Sequence, residues 1–572
     1  MPAPPTEELW RSWGFLQRLD WAALENSRQG PRFPTWILLV TYVRFLLLNL
    51  AFLMLISIFP TELACANKRE QAFQTFLRYT AWIYLTDCLG VRSGPMLDGR
   101  FTPWPLGLCA IARYRLSRGT LKLARFPFFG DRRTALDVAF YVILIAALVM
   151  VVLSPVFLTG AMAIVVACAA WSFLSDNQQF LAAQSTTYFH VLLAGCFPTY
   201  QGGLACAQLH VILVWLGSGL GKIGPWFVFV NGPFLSASVW LRGRSWLWRL
   251  LYRGDNDLRP TSAVSLLGHV APHLEWIAPL LFLWVQSASV VYLGVMMLVA
   301  MHVYILLAPA ARDVYSWNGW FIAAAIGLFG SEISIGFDFE SLANAPLPLL
   351  LWFAGETLIV ILGVLRPDLI SYQTGHRNWA GNWSQAVVLL KKSAASKLTQ
   401  ALVTHGRPAW NAVPESIQLG PKMSDKDASF AKELVTYKLL GNYWLGTLNL
   451  KGIPSLVQRA LQTQAIQDYY VIHGNQMCDM CMGSFFCLSW FPQVVEVVQR
   501  AASFDKGDLL CIHVGSFPFQ WGHLQGAAPW KILDAAAGVV AKGTLSTKTA
   551  WTLASLPSEC DRADWLLSGE PP

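Results

Sequence analysis

Charged side chains are scarce in this sequence: Asp, Glu, Lys and Arg make up only 13% of its 572 residues, whereas hydrophobic residues make up 55%. Soluble globular domains carry about 25% charged residues. Together with a mean hydropathy of +0.43, this scarcity excludes an ordinary soluble protein. The composition therefore predicts an integral membrane protein.

Cysteines at the spacing of a structural metal site are also missing. Cys478 and Cys481 form one CxxC pair near His473, Cys487 and Cys511, but no second pair follows at zinc-ribbon spacing. In or beside the apolar runs, cysteine behaves as a small apolar residue. We therefore predict no metal site. The six cysteines that we assign to packing are Cys65, Cys88, Cys109, Cys168, Cys196 and Cys206.

The sequence also predicts no cleaved signal peptide, because the first apolar run begins only after 34 residues that include several arginines. Counting about 20 apolar residues per crossing, we predict an all-α polytopic membrane helix bundle of about ten spans. This domain covers residues 35–366 and follows a cytoplasmic segment, residues 1–34. The predicted spans are 36–59, 73–91, 135–158, 161–174, 180–198, 203–222, 266–285, 287–308, 317–329 and 347–365.

The charges of the loops predict the orientation. Residues 109–134 and 224–265 are rich in Arg and Lys, which indicates the cytoplasmic side. Residues 330–346 contain three acidic side chains and neither Lys nor Arg, which indicates the external side. Ten spans satisfy all three loops and place both termini in the cytoplasm.

The composition changes after residue 371, where no apolar run of membrane-spanning length appears. Residues 371–572 are therefore predicted to form a cytoplasmic α+β domain. The patterns predict helices over 427–443 and 454–464 and another beginning at Pro492. They predict strands over 469–473 and 509–513, and a hairpin built from 530–533 and 539–543.

Lys222 stands out because it ends the apolar run 203–221. An ionisable group in hydrocarbon costs about 2.5 to 3.5 kcal/mol on insertion scales. One interpretation is a lysine that snorkels to the lipid headgroups. The other is a functional base, favoured by Gly217, Gly219 and Gly221, which let a neighbouring helix come close.

Other ionisable side chains lie within the predicted spans, and each alone is also explained as an interhelical hydrogen-bond partner. A neutral imidazole beside a lysine at low dielectric makes the amine a usable base near neutral pH. His210 precedes Lys222 by 12 residues on one helix, about 18 Å away, so these two cannot touch. The candidate catalytic residues are Lys222, His302, His190, Glu356 and Glu275, and the remaining ionisable groups are Arg44, Asp137 and His210.

Several segments resemble a family of uncharacterised multi-span membrane proteins that is best known in actinobacteria. The resemblance covers nearly the whole chain and implies a fold but no activity, since that family has no established function. In the tail, where the family reads Gly-Trp-Asn-Phe-Gly-Asp-Gly, this chain reads Gly-Ser-Phe-Phe-Cys-Leu-Ser over 483–489. The matching segments are 130–139, 257–260, 273–279, 302–330 and 378–383.

The membrane part has a second, more distant resemblance. Residues 214–226, followed by Asn231 and Gly232, are similar to the Ala-Gly-x-x-Lys-Leu-x-x-x-Trp-x-x-Gly pattern of the transmembrane domain of vitamin K-dependent γ-carboxylases. His302 resembles the histidine of a following helix in that domain. The resemblance implies that Lys222 is the base that deprotonates a hydroquinone. It does not imply carboxylation of a protein, because the large extracytoplasmic domain of those enzymes has no counterpart here.

Two functions stay open on this evidence. In the first, the protein is a membrane-embedded enzyme acting on a lipid or quinol-like substrate, with Lys222 as the base. In the second, it is a non-enzymatic transporter or lipid-handling scaffold whose buried charges hold helices together. Residues 240–252 interleave Arg with Trp, which predicts contact with membrane lipids and not with nucleic acid. The sequence indicates no particular cofactor and no protein partner.

Overall fold

The membrane part is built from apolar helices. In the computed structural model, five helices among the described residues are long and apolar enough to cross a membrane, namely Ala135–Leu153, Tyr200–Lys222, Ser262–Leu283, Ala288–Leu307 and Leu347–Leu365. The end of the third, Ala278–Leu283, is a 3-10 helix that continues the α-helix before it. The structure describes residues 5–29, 35–61, 67–91, 112, 114–156, 159–182, 185–197, 199–238, 240–241, 244–255, 257–308, 314–331, 334–367, 369, 380–403, 425–482, 490–521 and 524–555.

The described residues up to 365 are mostly helical. A two-stranded ribbon of β1 (Gly330–Ser331) and β2 (Ser334–Ile335) lies between the last long helices. In chain order the helices are α1 (Glu7–Ser12), α2 (Phe15–Gln29), α3 (Thr35–Ile58), α4 (Lys68–Cys88), α5 (Ala135–Leu153), α6 (Thr159–Ser175), α7 (Asn177–Ala182), α8 (Ser185–Ala194), α9 (Tyr200–Lys222), α10 (Val228–Ala237), α11 (Ser245–Leu251), α12 (Ser262–Ile277), α13 (Ala288–Leu307), α14 (Val314–Phe329), α15 (Phe339–Ala343) and α16 (Leu347–Leu365).

The expected number of about ten spans is not confirmed. Several predicted spans are helical but short or charged, which is why they fall outside the set of five. Helix α14 has 16 residues, or about 24 Å at 1.5 Å per residue, less than the 30 Å hydrocarbon core. Helix α4 carries Arg78 and Asp87, both of which are buried inside the protein.

The C-terminal part contains the predicted α+β layers. Its sheet is five-stranded and antiparallel, with the order β4-β3-β5-β6-β7. The strands predicted over 469–473 and 509–513 and the hairpin are confirmed, and the hairpin has a register shift between Ile532 and Leu533. The strands are β3 (Gln385–Lys391), β4 (Tyr469–His473), β5 (Leu509–Val514), β6 (Ala527–Asp534) and β7 (Gly538–Ser546).

Helices cover both faces of this sheet. Along β3, Val387 and Leu389 enter one hydrophobic core, whereas Val388 and Leu390 enter another. This alternation is expected for a strand buried on both faces, because successive side chains point in opposite directions. The helices of this part are α17 (Ala395–Val403), α18 (Asp425–Gly446), α19 (Ile453–Leu461), α20 (Gly474–Met482), α21 (Phe491–Ala502) and α22 (Thr547–Ser555).

The N-terminal helices pack on the C-terminal part. Trp10 of α1 is 1% exposed, and its ring centroid lies 5.0 Å from that of Tyr437 in α18. Arg18 of α2 forms a buried ion pair with Glu433, with Nη1 and Oε1 2.8 Å apart. Helices α1 and α2 therefore pack directly on α18.

His473, at the end of β4, is buried as a neutral imidazole. Its Nε2 and Oε1 of Gln385 are 2.7 Å apart, while Nδ1 accepts the backbone N–H of Asn475. The ring stacks on Tyr443 with 3.8 Å between centroids. Burial lowers the pKa of His473 to about 3. The folded protein therefore resists protonation of this side chain, whereas the unfolded chain takes up a proton below about pH 6.5.

This difference predicts that acid destabilises the protein. Because the unfolded state binds more protons, the free energy of unfolding should fall from pH 6.5 downward, with a contribution from His473 of roughly 2 kcal/mol at pH 5. In His473→Gln, which cannot titrate, the loss of stability between pH 7 and pH 5 should be smaller by that amount. Thermal unfolding of the full chain in detergent at both pH values measures it. An equal acid-induced loss in both proteins would contradict the assignment.

Candidate functional site

Helix α9 is the most buried of the five candidate spans. Of its most apolar 18-residue window, 83% is buried, against 28% to 39% in the other four. The helix carries polar side chains along its whole length, including Gln208, His210, Trp215 and Lys222. Each of these side chains contacts a different neighbouring element. Helix α9 therefore positions the polar groups inside the membrane part.

Lys222 pairs with Glu275 of α12. The Nζ atom of Lys222 donates to Oε2 of Glu275, and the two side chains are 12% and 8% exposed. The ring of Phe227 lies 5.9 Å from Nζ. A lysine that snorkelled to the headgroups would point toward solvent, whereas this ammonium lies against a buried carboxylate.

A glycine lets the two helices come this close. A Cβ atom at Gly219 would stand 2.7 Å from the backbone nitrogen of Trp276 and 3.1 Å from the carbonyl oxygen of Pro272. The expectation that the glycines before Lys222 admit a neighbouring helix is confirmed at this position. Any larger side chain would push α12 away and separate Glu275 from Lys222.

The turn after Lys222 is fixed by the C-terminal part. Gly224 has φ of +147°, and a Cβ there would lie 2.3 Å from the Trp226 ring. That ring is fully buried and stacks on Phe517 with 6.3 Å between centroids. The position of the lysine therefore depends on residues far along the chain.

A cavity of about 240 Å³ lies at the C-terminal end of α9, where Ile223, the residue after Lys222, is part of its wall. Gly268 and Pro272 in the cavity wall lie seven and three positions before Glu275, and residues at these spacings share one face of a helix. Pro272 is one turn from the carboxylate. The C-terminal part contributes Gln520, Trp521 and Leu524 to the cavity wall.

His302 of α13 contacts α9 at a different point from the Lys222–Glu275 pair. The indole Nε1 of Trp215 donates to His302 Nε2 over 2.9 Å. Because the indole can only donate, Nδ1 carries the hydrogen, and Oδ1 of Asn318 accepts it at 2.6 Å. Trp215 and Lys222 are two turns apart on one face of α9, about 10 Å along the axis. Both ring nitrogens of His302 therefore have partners other than Lys222.

His190 and Glu356 meet in a third place, together with His210. Nδ1 of His190 lies 2.6 Å from Oε2 of Glu356, and Nδ1 of His210 lies 2.5 Å from Oε1. His210 is fully buried, Glu356 is 7% exposed and His190 is 18% exposed. Within the described residues, these three form the group of metal-ligating side chains, with one ligand atom from each lying within 4.8 Å of the others.

The five predicted site residues thus divide into three groups along α9. Lys222 lies with Glu275 and His190 lies with Glu356, while His302 contacts neither pair directly. The predicted site omitted His210, although its position inside a span marked it as a buried ionisable group. No sequence spacing connects it with Glu356, which is 146 residues away.

The predicted cysteine cluster shows no ligand set in the described part of the chain. The thiols of Cys478, Cys481 and Cys511 are buried. Burial and the neighbouring Cys478 hold the pKa of Cys511 well above its usual range, which keeps the thiol protonated. Cys487 and the 483–489 segment lie outside the described residues.

Comparison with known proteins gives a family. The family model described as "Transmembrane protein of unknown function (DUF3556)" matches residues 6–558. No curated protein and no solved structure matches this chain.

Proposed function

Because the chain belongs to this family of transmembrane proteins of unknown function, we propose that it is a membrane-embedded enzyme acting on a lipid or quinol-like substrate. The observation that carries the proposal is the buried Lys222–Glu275 pair, and the wall of a nearby cavity contains Ile223, the residue after the lysine, and Pro272, three residues before the glutamate. An intramembrane ionisable pair is costly and is a functional site by default. The similarity of residues 214–226 to the membrane domain of the γ-carboxylases supports the same lysine.

The pair supplies a proton-transfer unit. As the acidic O–H of a substrate meets Lys222, its proton passes to Nζ while a proton of the ammonium passes to Oε2 of Glu275. Glu275 then holds the proton, and the lysine remains a cation beside the new substrate anion. A cation placed where negative charge develops stabilises it strongly at low dielectric. Lys222 is therefore the base and Glu275 the final acceptor.

His302 takes a positioning role in this scheme. It fixes α9 through Trp215 and α14 through Asn318, two turns from Lys222. His190 and Glu356 belong to the other polar group and take no part in this proton transfer.

Membrane lipids are the proposed partners, and the chain is proposed to be multi-pass with both termini in the cytoplasm. Trp246 of α11 is 57% exposed, within the Arg- and Trp-rich residues 240–252. Aromatic and cationic side chains together favour the lipid interface. The packing of α2 on α18 supports a common side for the two ends of the chain.

The test compares lipid extracts. Cells expressing the wild type should contain a modified lipid or quinone that cells with an empty vector lack, detected by untargeted mass spectrometry. Lys222→Arg should abolish this product, because a guanidinium does not release a proton to Glu275 and therefore cannot take one from the substrate. Lys122→Arg is the matched control, since Lys122 forms another buried ion pair, with Asp137 at 2.7 Å. It should keep the product.

Two outcomes would count against the enzyme. A full yield of product with Lys222→Arg at equal membrane abundance would remove the lysine from the base role. A wild-type extract identical to the empty-vector extract would favour the second candidate, a non-enzymatic transporter or scaffold.

A specific observation keeps that second candidate open: other buried charges hold helices together. Arg78 of α4 donates to the carbonyl oxygens of Phe59 and Val152, at the ends of two neighbouring helices. Arg133, which precedes α5, forms an ion pair with Asp176, which follows α6. Cations stabilise helix C-termini, so these groups have a structural role.

A further inference from the structure

We propose that His190, His210 and Glu356 form a binding site for a divalent transition-metal ion in the core of the membrane part. The inference goes beyond the proposed function and does not depend on it, because His210 and Lys222 are about 18 Å apart along α9. It revises the prediction of no metal site, which considered only the cysteines.

The three ligands come from three helices. His190 lies in α8, His210 near the middle of α9 and Glu356 near the middle of α16. The site therefore exists only when these helices are packed together. The mid-helix positions of His210 and Glu356 place it at the depth of the bilayer centre, where ionisable residues are rare and functional.

The nitrogen and oxygen atoms of the three side chains are close enough together to bind one ion. Nδ1 of His190 and Oε2 of Glu356 lie 2.6 Å apart. Nevertheless, neither atom makes a hydrogen bond of acceptable geometry within the described ranges of the chain. Because no N–H···O bond joins them, the lone pairs of these two atoms can both point at one position between them. A cation at that point would satisfy both.

The buried negative charge of Glu356 also favours a bound cation. Within the part of the chain that the structure describes, the charged partners of Glu356 are only the two histidines, and no Lys or Arg pairs with it. A buried carboxylate without a full countercharge is strongly unfavourable. A divalent ion would supply that charge and would keep both imidazoles neutral, as ligation requires.

The donor set indicates the class of metal. Two imidazole nitrogens and one carboxylate oxygen are the ligands of catalytic zinc sites and of non-haem Fe(II) sites, both of which keep a position open. Ligands of a tetrahedral ion at about 2.1 Å lie about 3.4 Å from one another. The two short contacts must therefore open by less than about 1 Å. The open position would lie on the side of His190, the most exposed ligand, near the Trp352 ring at 5.7 Å.

The experiment measures metal on the purified full chain in detergent, prepared without a histidine tag. After removal of metal by a chelator, Zn²⁺ and Co²⁺ are added back, and bound metal is counted by mass spectrometry. We expect about one ion per wild-type chain. Glu356→Gln and His210→Ala should weaken binding at least tenfold. The matched control is His302→Gln, a buried histidine whose two ring nitrogens already have partners, and it should bind as the wild type does.

The spectrum of the Co²⁺ form keeps the proposal testable even if the ligand variants fail to fold. Visible d–d bands without a thiolate charge-transfer band support the nitrogen and oxygen ligands. A thiolate band would show that cysteine binds the ion and would overturn the proposal. A wild-type chain that binds neither metal, or a folded Glu356→Gln variant that binds as tightly as the wild type, would also overturn it.

Discussion

Glu433→Ala should lower the free energy of unfolding of the C-terminal part by about 3 to 5 kcal/mol, because it leaves a buried arginine without its partner. Glu433 is 6% exposed and receives three donors. Arg18 and the Trp10 indole reach Oε1 at 2.8 and 3.1 Å, and Lys392 reaches Oε2 at 3.1 Å. One carboxylate therefore connects the N-terminal helices with α18 and the segment after β3.

Thermal unfolding of the full chain in detergent measures this loss, and limited proteolysis locates it. Release of the N-terminal helices should accompany the destabilisation. Glu7→Ala is the matched control, because it removes an ion pair with Arg11 in which the two side chains are 41% and 70% exposed. Surface pairs contribute about 0 to 1 kcal/mol. If the two variants proved equally stable, the N-terminal helices would not depend on this contact.

Local patterns predicted much of the C-terminal part. The hairpin of β6 and β7 and the helices α18, α19 and α21 lie close to their predicted positions, since each has its own periodicity. The interior strand β3, between β4 and β5, was not predicted. Its sequence, Gln-Ala-Val-Val-Leu-Leu-Lys, is a continuous apolar run buried on both faces, and such a run has no alternation to reveal it.

Contacts between residues far apart in the chain could not be predicted from the sequence. Residues 1–34 were predicted as a separate segment, yet Trp10 and Arg18 are among the most buried side chains of the protein. Their partners lie more than 400 residues further along the chain, at separations of 423 and 415. Composition indicates that such residues need a partner but not which one.

For the candidate site too, the sequence predicted which residues matter but not how they pair. Membrane cost alone singled out Lys222, Glu275, His190, His302 and Glu356, since ionisable groups in apolar runs are exceptional. How they pair depends on helix packing. Gly219 brings α12, and with it Glu275, to the lysine. Trp215 and Asn318 hold His302 two turns away.

The prediction that separates the two proposed functions concerns the Lys222–Glu275 pair as a unit. Lys222→Met should destabilise the protein by about 3 to 5 kcal/mol, because it leaves the Glu275 carboxylate buried without a countercharge. Lys222→Met combined with Glu275→Met should regain most of that stability, because a buried ion pair can be replaced by apolar side chains at little net cost. Thermal unfolding in detergent measures both steps.

The double variant should then regain stability without regaining activity if the protein is an enzyme. An enzyme that transfers a proton through this pair loses its lipid product in the single and the double variant alike, although the double variant is folded. A scaffold that uses the pair only to join α9 to α12 recovers its role with its stability. A double variant that yields the product at the wild-type level would therefore remove the pair from the chemistry, because methionine neither accepts nor donates a proton in this role.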